Sequence, residues 1–456
     1  MSTQNQRETD RLKKAVARVI NETVRELESL RQRPDYVPGY DYFINLLAGG
    51  IEPGVLEKRT GKPALNLFCI QAPLELIHAA GFLPFKIFSG SYAAGSLGAD
   101  GRLPALTCPM LRAVHGIFRL EDSFKDRPWV LPTTCDWIVK LPQMLRAENT
   151  LFAKETLINC LCGMKRKAHG AEEPKHIQKY VEVTSTAQRS DSPAQAINQG
   201  FPKRLHWLEL PHIKESTVAR ERWLAELFGL KKFLEETAGV KIDRKRLSAS
   251  IAVYSRAWEA LTQLEERRRA GAVPFIWFLV IANSFFLEAP ESWTDAVNAL
   301  LPSLRGEECG KRVFFAGSPV FFPNFKIPLL LEEAGLTVTG DDLCSSGRIF
   351  PGGIKPDGVS EYELVAALAG RYHEGCLCPT FADNDRRINS ILGNIGNFEG
   401  VIFHVLKGCH PYDMESFLLE ESITRRGLKF LRLETDYTAE DSRNLLTRIE
   451  AFGQTF

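Results

Sequence analysis

The sequence has no surplus charge of either sign. Lys and Arg total 57 against 56 Asp and Glu in 456 residues, a formal net charge of +1. Without a strongly basic face, nucleic acid is excluded as the main partner. Long apolar runs are also missing. The nearest uncharged run, 270–287, is broken by Gly271, Pro274, Asn283 and Ser284. A membrane span needs about 20 predominantly apolar residues, so this run predicts a buried helix and no membrane partner. The opening stretch MSTQNQRETDRLKKAV has no apolar core of a secretory signal. A cytoplasmic location is therefore expected, with the ten cysteines reduced. No C-x-x-C pair occurs among them, which argues against zinc ribbons, thioredoxin-like chemistry and ferredoxin-type runs.

What is present is an ordinary globular composition, 44% hydrophobic and 25% charged, suited to packed cores. At roughly 100–200 residues per domain, the length predicts two or three domains. Leu12, Ala15, Val19, Ile20, Val24, Leu27 and Leu30 recur at helical spacing, so 1–60 predicts an N-terminal helical segment that packs on a partner or on the body. From 61 to 213, ALNLFCI, FLPFKIF, WVLP and RLHWLEL read as strands alternating with helices, and the polar stretch 165–203 as an insertion. Residues 214–305 form a helical connecting segment, in which Ser216 starts a helix and Gly239 ends it. The alternation returns over 306–456, with KRVFFAG, LTVTGDD, GVIFHVLKGC and LKFLRLETD as strands. This order predicts an α/β protein with two Rossmann-like lobes. Each lobe has a parallel sheet, a helical segment joins them, and the site lies in the cleft at the strand ends.

The cysteines are distributed unevenly. Cys135, Cys344 and Cys409 each follow a predicted strand. Cys108 lies in the Pro-flanked loop LPALTCPM, and Cys376 and Cys378 lie in HEGCLCPT. Strand ends are where ligands sit in open α/β sheets, and thiolate is the usual ligand of an iron–sulfur cluster. Core packing is the ordinary fate of a free cysteine, and it is expected for Cys69, inside the predicted strand NLFCI. Cys309 lies in a polar turn without an apparent partner and is expected to be unligated. Cys160 and Cys162 point to different faces of a predicted helix, so joint ligation is not expected.

Several segments in order carry a resemblance: CIQAPLELIHAAGFLPFKI, TTCDWIVKLPQML, HWLELPHIKES, LAELFGLKKFLEETAGVKID, FHVLKGCHPYDMES and LKFLRLETDYTAEDSRNLLTRIEAF. The chain resembles the 2-hydroxyacyl-CoA dehydratase/benzoyl-CoA reductase superfamily, in the manner of the 2-hydroxyglutaryl-CoA dehydratase D-component, over roughly 65–456. The resemblance implies two Rossmann-like lobes around a four-iron cubane held by three cysteines, which by motif are Cys108, Cys135 and Cys409. Cys344, Cys376 and Cys378 are additional. With them the count matches the related double-cubane proteins, which use six cysteines, so the resemblance favours an 8Fe–9S double-cubane cluster.

On that basis the chain is expected to be a reductase of small molecules. A separate ATP-dependent activator protein with its own cluster would supply low-potential electrons, because the nearest approach to a P-loop, GVLEKRTGKP, has the wrong spacing. A homodimer is expected. The alternative is a single-cubane subunit of a 2-hydroxyacyl-CoA dehydratase or benzoyl-CoA-type reductase, paired with a homologous subunit. A reading from another class is a non-catalytic electron-transfer or cluster-carrying protein. Weaker candidates beside the cysteines are His404 and His410 as proton donors, Arg112 and His115 following Cys108, and Arg348 as a cation near the cluster.

Overall fold

The computed structural model describes residues 3–147 and 204–456, apart from 51, 88, 100–102, 105, 121–123, 125, 307–309, 351, 356–359, 376, 383–384 and 395–397. The predicted insertion 165–203 and Cys160, Cys162, Cys309 and Cys376 lie outside the described residues.

Helix α1 (Thr3–Arg31) buries Leu12, Ala15, Val16, Val19, Leu27 and Leu30, so its apolar stripe packs on the body of the protein. Helices α2 (Asp41–Ala48) and α3 (Pro53–Thr60) lead into the first sheet. Its strands are β1 (Ala64–Leu67), β2 (Leu83–Lys86), β3 (Trp129–Pro132) and β4 (Leu205–Leu208), parallel in the order β2-β1-β3-β4. Between and after these strands run α4 (Leu74–Ala79), α5 (Tyr92–Ala99), α6 (Pro109–Leu120) and α7 (Asp136–Ala147).

A helical stretch follows: α8 (Thr217–Ala238), α9 (Arg244–Arg269), α10 (Phe275–Ser284) and α11 (Pro290–Leu300). Ser216 caps α8 by accepting from the Ala219 amide, and Gly239 ends it at φ +67°. The apolar run becomes α10, buried on all sides. Among the described residues no helix is long and apolar enough to cross a membrane.

The second sheet has β5 (Lys311–Gly317), β6 (Leu336–Asp341), β7 (Gly400–Leu406) and β8 (Lys429–Thr435), parallel in the order β6-β5-β7-β8. Its helices are α12 (Lys326–Glu333), α13 (Glu361–Gly375), α14 (Asp385–Asn394), α15 (His410–Thr424) and α16 (Ser442–Gly453). The two sheets thus share one topology. β1, β3 and β7 are buried along their whole length, as expected of parallel strands covered on both faces. One apolar core runs continuously through both lobes.

Two departures from the sequence reading bear on the site. First, β1 stops at Leu67, because the chain must turn through Ile70–Ala72 to reach Pro73, the residue before α4. Cys69 therefore lies beyond the strand, half-buried. Second, α5 has a glycine- and alanine-rich sequence with weak helical signal. It is fixed by a close crossing with α6, where a Cβ on Gly116 would overlap the Ala94 carbonyl.

A tight approach also joins the lobes. Gly408, at φ +74° between β7 and α15, packs so closely that a Cβ would overlap the Leu106 carbonyl, two residues before Cys108. Gly408→Ala should lose about 2–3 kcal/mol of stability by urea unfolding, combining left-handed strain of roughly 1–2 kcal/mol with the clash. A loss under about 0.5 kcal/mol would show that the two loops can separate freely.

Candidate cysteine site at the sheet ends

Three cysteines each open a helix. Cys108 precedes α6, Cys135 precedes α7 and Cys409 is the residue before α15. The first amides of a helix have no partner within it, and its macrodipole is positive there. The Met110 and Leu111 amides favour the Cys108 thiolate, those of Trp137 and Ile138 the Cys135 thiolate and that of Tyr412 the Cys409 thiolate, although the Cys409 side chain makes no cap hydrogen bond to α15. The Ser318 hydroxyl also donates to Cys409.

The three sulfurs act on one another. The Cys409 thiol donates to Cys108, which lowers the Cys108 pKa despite burial. That donation and burial push Cys409 well up. Burial lifts Cys135 to about 11, with Cys409 adding to it electrostatically.

A second group of sulfurs lies beside a buried ionic network. Cys344 is in the loop after β6, which folds around Asp341. That carboxylate accepts from the Leu343 amide at 2.9 Å, the Gly347 amide at 3.2 Å, the Ser346 hydroxyl at 2.5 Å and Arg268 Nη1 at 2.5 Å. Arg268 is fully buried, 4.1 Å from the Phe278 ring centre.

Cys378 lies in the loop after α13. The carbonyl of the preceding Leu377 accepts from Arg348 Nη1 and, at 3.1 Å, from Arg387 Nη1. Both guanidinium groups pair with Asp342, and Arg387 Nε also donates to Glu415 Oε1 at 2.6 Å. Burial works against the Arg348 charge, but Asp342, Tyr412 and the sulfurs of Cys344 and Cys378 hold its pKa well above the ordinary value. The Thr380 hydroxyl donates to the Thr134 carbonyl, next to Cys135, and so ties the two groups together.

The weaker candidates fare unevenly. His404 is inside β7 and buried, and its Nδ1 donates to the Ser318 carbonyl at 3.0 Å. Burial brings it down to about 4, so it is neutral and committed, which suits a structural role better than proton donation. His410 is the exposed first residue of α15. Arg112 and His115 lie on α6, and His115 is buried. Arg348 is not a solvated arginine but part of the buried network.

Sequence reading missed Asp341, Asp342 and Arg387, because a charged strand end and the DNDRR run look like surface. It also missed Lys86, although a lysine inside FLPFKIF is a visible signal.

Among the described residues no three His, Cys, Asp or Glu side chains converge as a single metal ion would require. The donors that do gather are thiols held by amides, with no imidazole or carboxylate among them. That set suits a sulfur-ligated cluster of several metals better than one hard cation.

The 2-hydroxyglutaryl-CoA dehydratase, D-component family matches residues 69–157 and 151–456. The chain is 26% identical to the Escherichia coli (strain K12) protein named "Putative dehydratase subunit YjiM", over 87% of this chain and 92% of that protein. It is 22% identical to lactoyl-CoA dehydratase subunit beta of Anaerotignum propionicum, over 86% and 91%. It is 20% identical to (R)-2-hydroxyglutaryl-CoA dehydratase, subunit beta, of Acidaminococcus fermentans, over 55% and 68%.

The buried neutral state of His404 has a pH signature. Its folded value of about 4 lies below the ordinary 6.5, so the unfolded chain takes up the proton first. Stability should fall as pH drops from 6.5 towards 4 and stop falling on this account below 4. In urea titrations, His404→Asn should flatten that slope by up to about 1.4 kcal/mol per pH unit. An unchanged slope would assign the titration to another group.

Proposed function

The chain belongs to the 2-hydroxyglutaryl-CoA dehydratase D-component family, and from that premise we propose that it is an iron–sulfur enzyme, a double-cubane reductase of small molecules. The observation that carries this reading is the presence of two linked thiol groups where one cubane needs only the first. Cys108, Cys135 and Cys409 form one ligand set. Cys344 and Cys378 belong to the other, with Cys376 as the third sulfur suggested by the sequence.

When bound, such a group supplies low-potential electrons and an iron open to a substrate atom. The protein's own part is placement and exclusion. The amides at three helix starts orient the first sulfurs and stabilise their charge. Burial of Cys108, 3% exposed, keeps water from that side. Arg348 and Arg387 hold the Leu377 carbonyl and so fix the loop that carries Cys378. The Arg348 charge offsets thiolate charge nearby.

Electrons arrive from a separate ATP-driven protein in this proposal. The stretch closest to a P-loop is the helix α3, ended by Gly61 at φ +68°, and not a phosphate-binding loop. A reducing cytoplasm keeps the thiols available. The relatives are named as subunits, and α15 exposes Met414, Phe417 and Leu418, which offers an apolar face for a second copy.

A second reading, a single-cubane subunit of an acyl-CoA dehydratase, is favoured by the names of the relatives. Iron and acid-labile sulfide per chain, on protein purified without oxygen, separate the two. About eight irons with slightly more sulfide support the double cubane, and about four support the dehydratase subunit. Cys409→Ser should lose at least about half of the bound iron, and full retention would reject Cys409 as a ligand.

A further inference from the structure

Cys69 was expected in a strand core, but β1 ends two residues before it and it is half-buried. Strand register places it. Leu67 pairs with Lys86 in the ladder, and the Ile87 amide donates to the Leu67 carbonyl at 3.0 Å. The chain leaving β1 therefore passes the end of β2, where Lys86 stands. Lys86 is buried, and its Nζ donates to the Cys344 carbonyl at 3.0 Å. The Phe286 and Phe321 ring centres lie 5.3 and 4.9 Å from that ammonium. Burial pulls its pKa down from the ordinary value, and the sulfurs of Cys344 and Cys69, both within electrostatic reach, act against that pull. Arg348 stands in the same relation to Cys344 and Cys378. Cys344 is thus shared by the buried Lys86 amino group and the part-buried Arg348 guanidinium, the first also reaching Cys69 and the second Cys378.

We propose that Cys69, Cys344 and Cys378 form the second metal-binding set, with Lys86 and Arg348 as its flanking cations and Cys69 in the place that the sequence suggested for Cys376. The proposal rests on the double-cubane reading and sharpens it. It explains why an ammonium and a guanidinium are buried beside thiols, since buried charges are retained where opposite charge answers them, and ligating sulfur is anionic. It also balances the lobes. The first supplies Cys69, Cys108 and Cys135, the second Cys344, Cys378 and Cys409, and each set takes sulfurs from both. The loop carrying Cys378 is held on two sides: the guanidinium pair grips Leu377, and the Ala382 amide donates to the His212 carbonyl at 2.8 Å.

The test uses the full chain, reconstituted without oxygen, as wild type, Cys69→Ser and Cys376→Ser, with iron and sulfide counted per chain. Cys69→Ser should lose about half of the metal and Cys376→Ser none. The opposite pattern, or full retention in Cys69→Ser beside a wild type of about eight irons, overturns the assignment and leaves the double cubane standing. A wild type of about four irons, unchanged in Cys69→Ser, overturns both.

Lys86→Met supplies a readout that does not depend on losing a ligand. It should keep its iron and shift one reduction wave to more negative potential, because a cation facing the reduced group is removed. An unmoved wave would show that Lys86 does not face the second set and would overturn the proposal. Thermal unfolding of the metal-free variants distinguishes a lost ligand from a lost fold. A Cys69→Ser chain that melts like wild type but holds half the iron supports the assignment, whereas one that has lost its fold makes Cys69 a core residue and overturns it.

Discussion

The contact between Gly408 and the Leu106 carbonyl brings the two lobes to a common point. It joins the turn after β7 to the loop before α6, and each carries a cysteine one or two residues further on. A side chain at 408 would push the turns apart and weaken the hydrogen bond from the Cys409 thiol to Cys108. Once the backbones meet, the rest follows from helix geometry. Each helix start presents its free amides to the sulfur before it, and the Ser318 hydroxyl reaches Cys409 from the loop after β5.

The second group of sulfurs depends on charge rather than on backbone contact. Arg268, Asp341, Asp342, Arg348, Arg387 and Glu415 are taken from water at or near the strand ends. Removing one partner from a buried pair is strongly destabilising, although the intact pair adds little net stability. These residues are therefore better explained by what they hold than by what they stabilise. Asp341 gathers amides of the Cys344 loop, and the two guanidinium groups share the Leu377 carbonyl beside Cys378. Burial pushes the Glu415 carboxyl up from its ordinary range, against the pull of Arg387.

Much of the architecture was legible because its signals are local. Apolar strands of four to seven residues, Ser216, Gly239 and the stripe on α1 each state their own role. That Cys108, Cys135 and Cys409 stand at loops and strand ends was legible because Pro-flanked loops and strand ends are visible in one dimension. The position of Cys69 was not legible, since LFCI is apolar throughout and only the turn towards Pro73 shows that the strand has already ended. Arg387 was hidden for the opposite reason. Two adjacent arginines at the start of a polar helix read as solvated, yet Arg387 is fully buried while Arg386 remains half exposed. Contacts between residues as far apart as Lys86 and Cys344 leave no local trace at all.

The two groups of sulfurs differ in what surrounds them, and the difference has a direction. Around Cys108, Cys135 and Cys409 the donors are neutral amides and a hydroxyl. Around Cys344 and Cys378 stand the Lys86 amino group and the Arg348 guanidinium. Hydrogen bonds and positive charge both favour added electrons on a sulfur-ligated group, but a buried charge acts more strongly and over a longer range than an amide dipole. Sulfur-ligated metal held by these residues would therefore meet neutral donors at Cys108, Cys135 and Cys409 and the Arg348 charge at Cys344 and Cys378. The difference is built from both lobes, Lys86 from the first sheet and Arg348 from the second, so movement of one lobe against the other would change the electrostatics of the site as well as its shape.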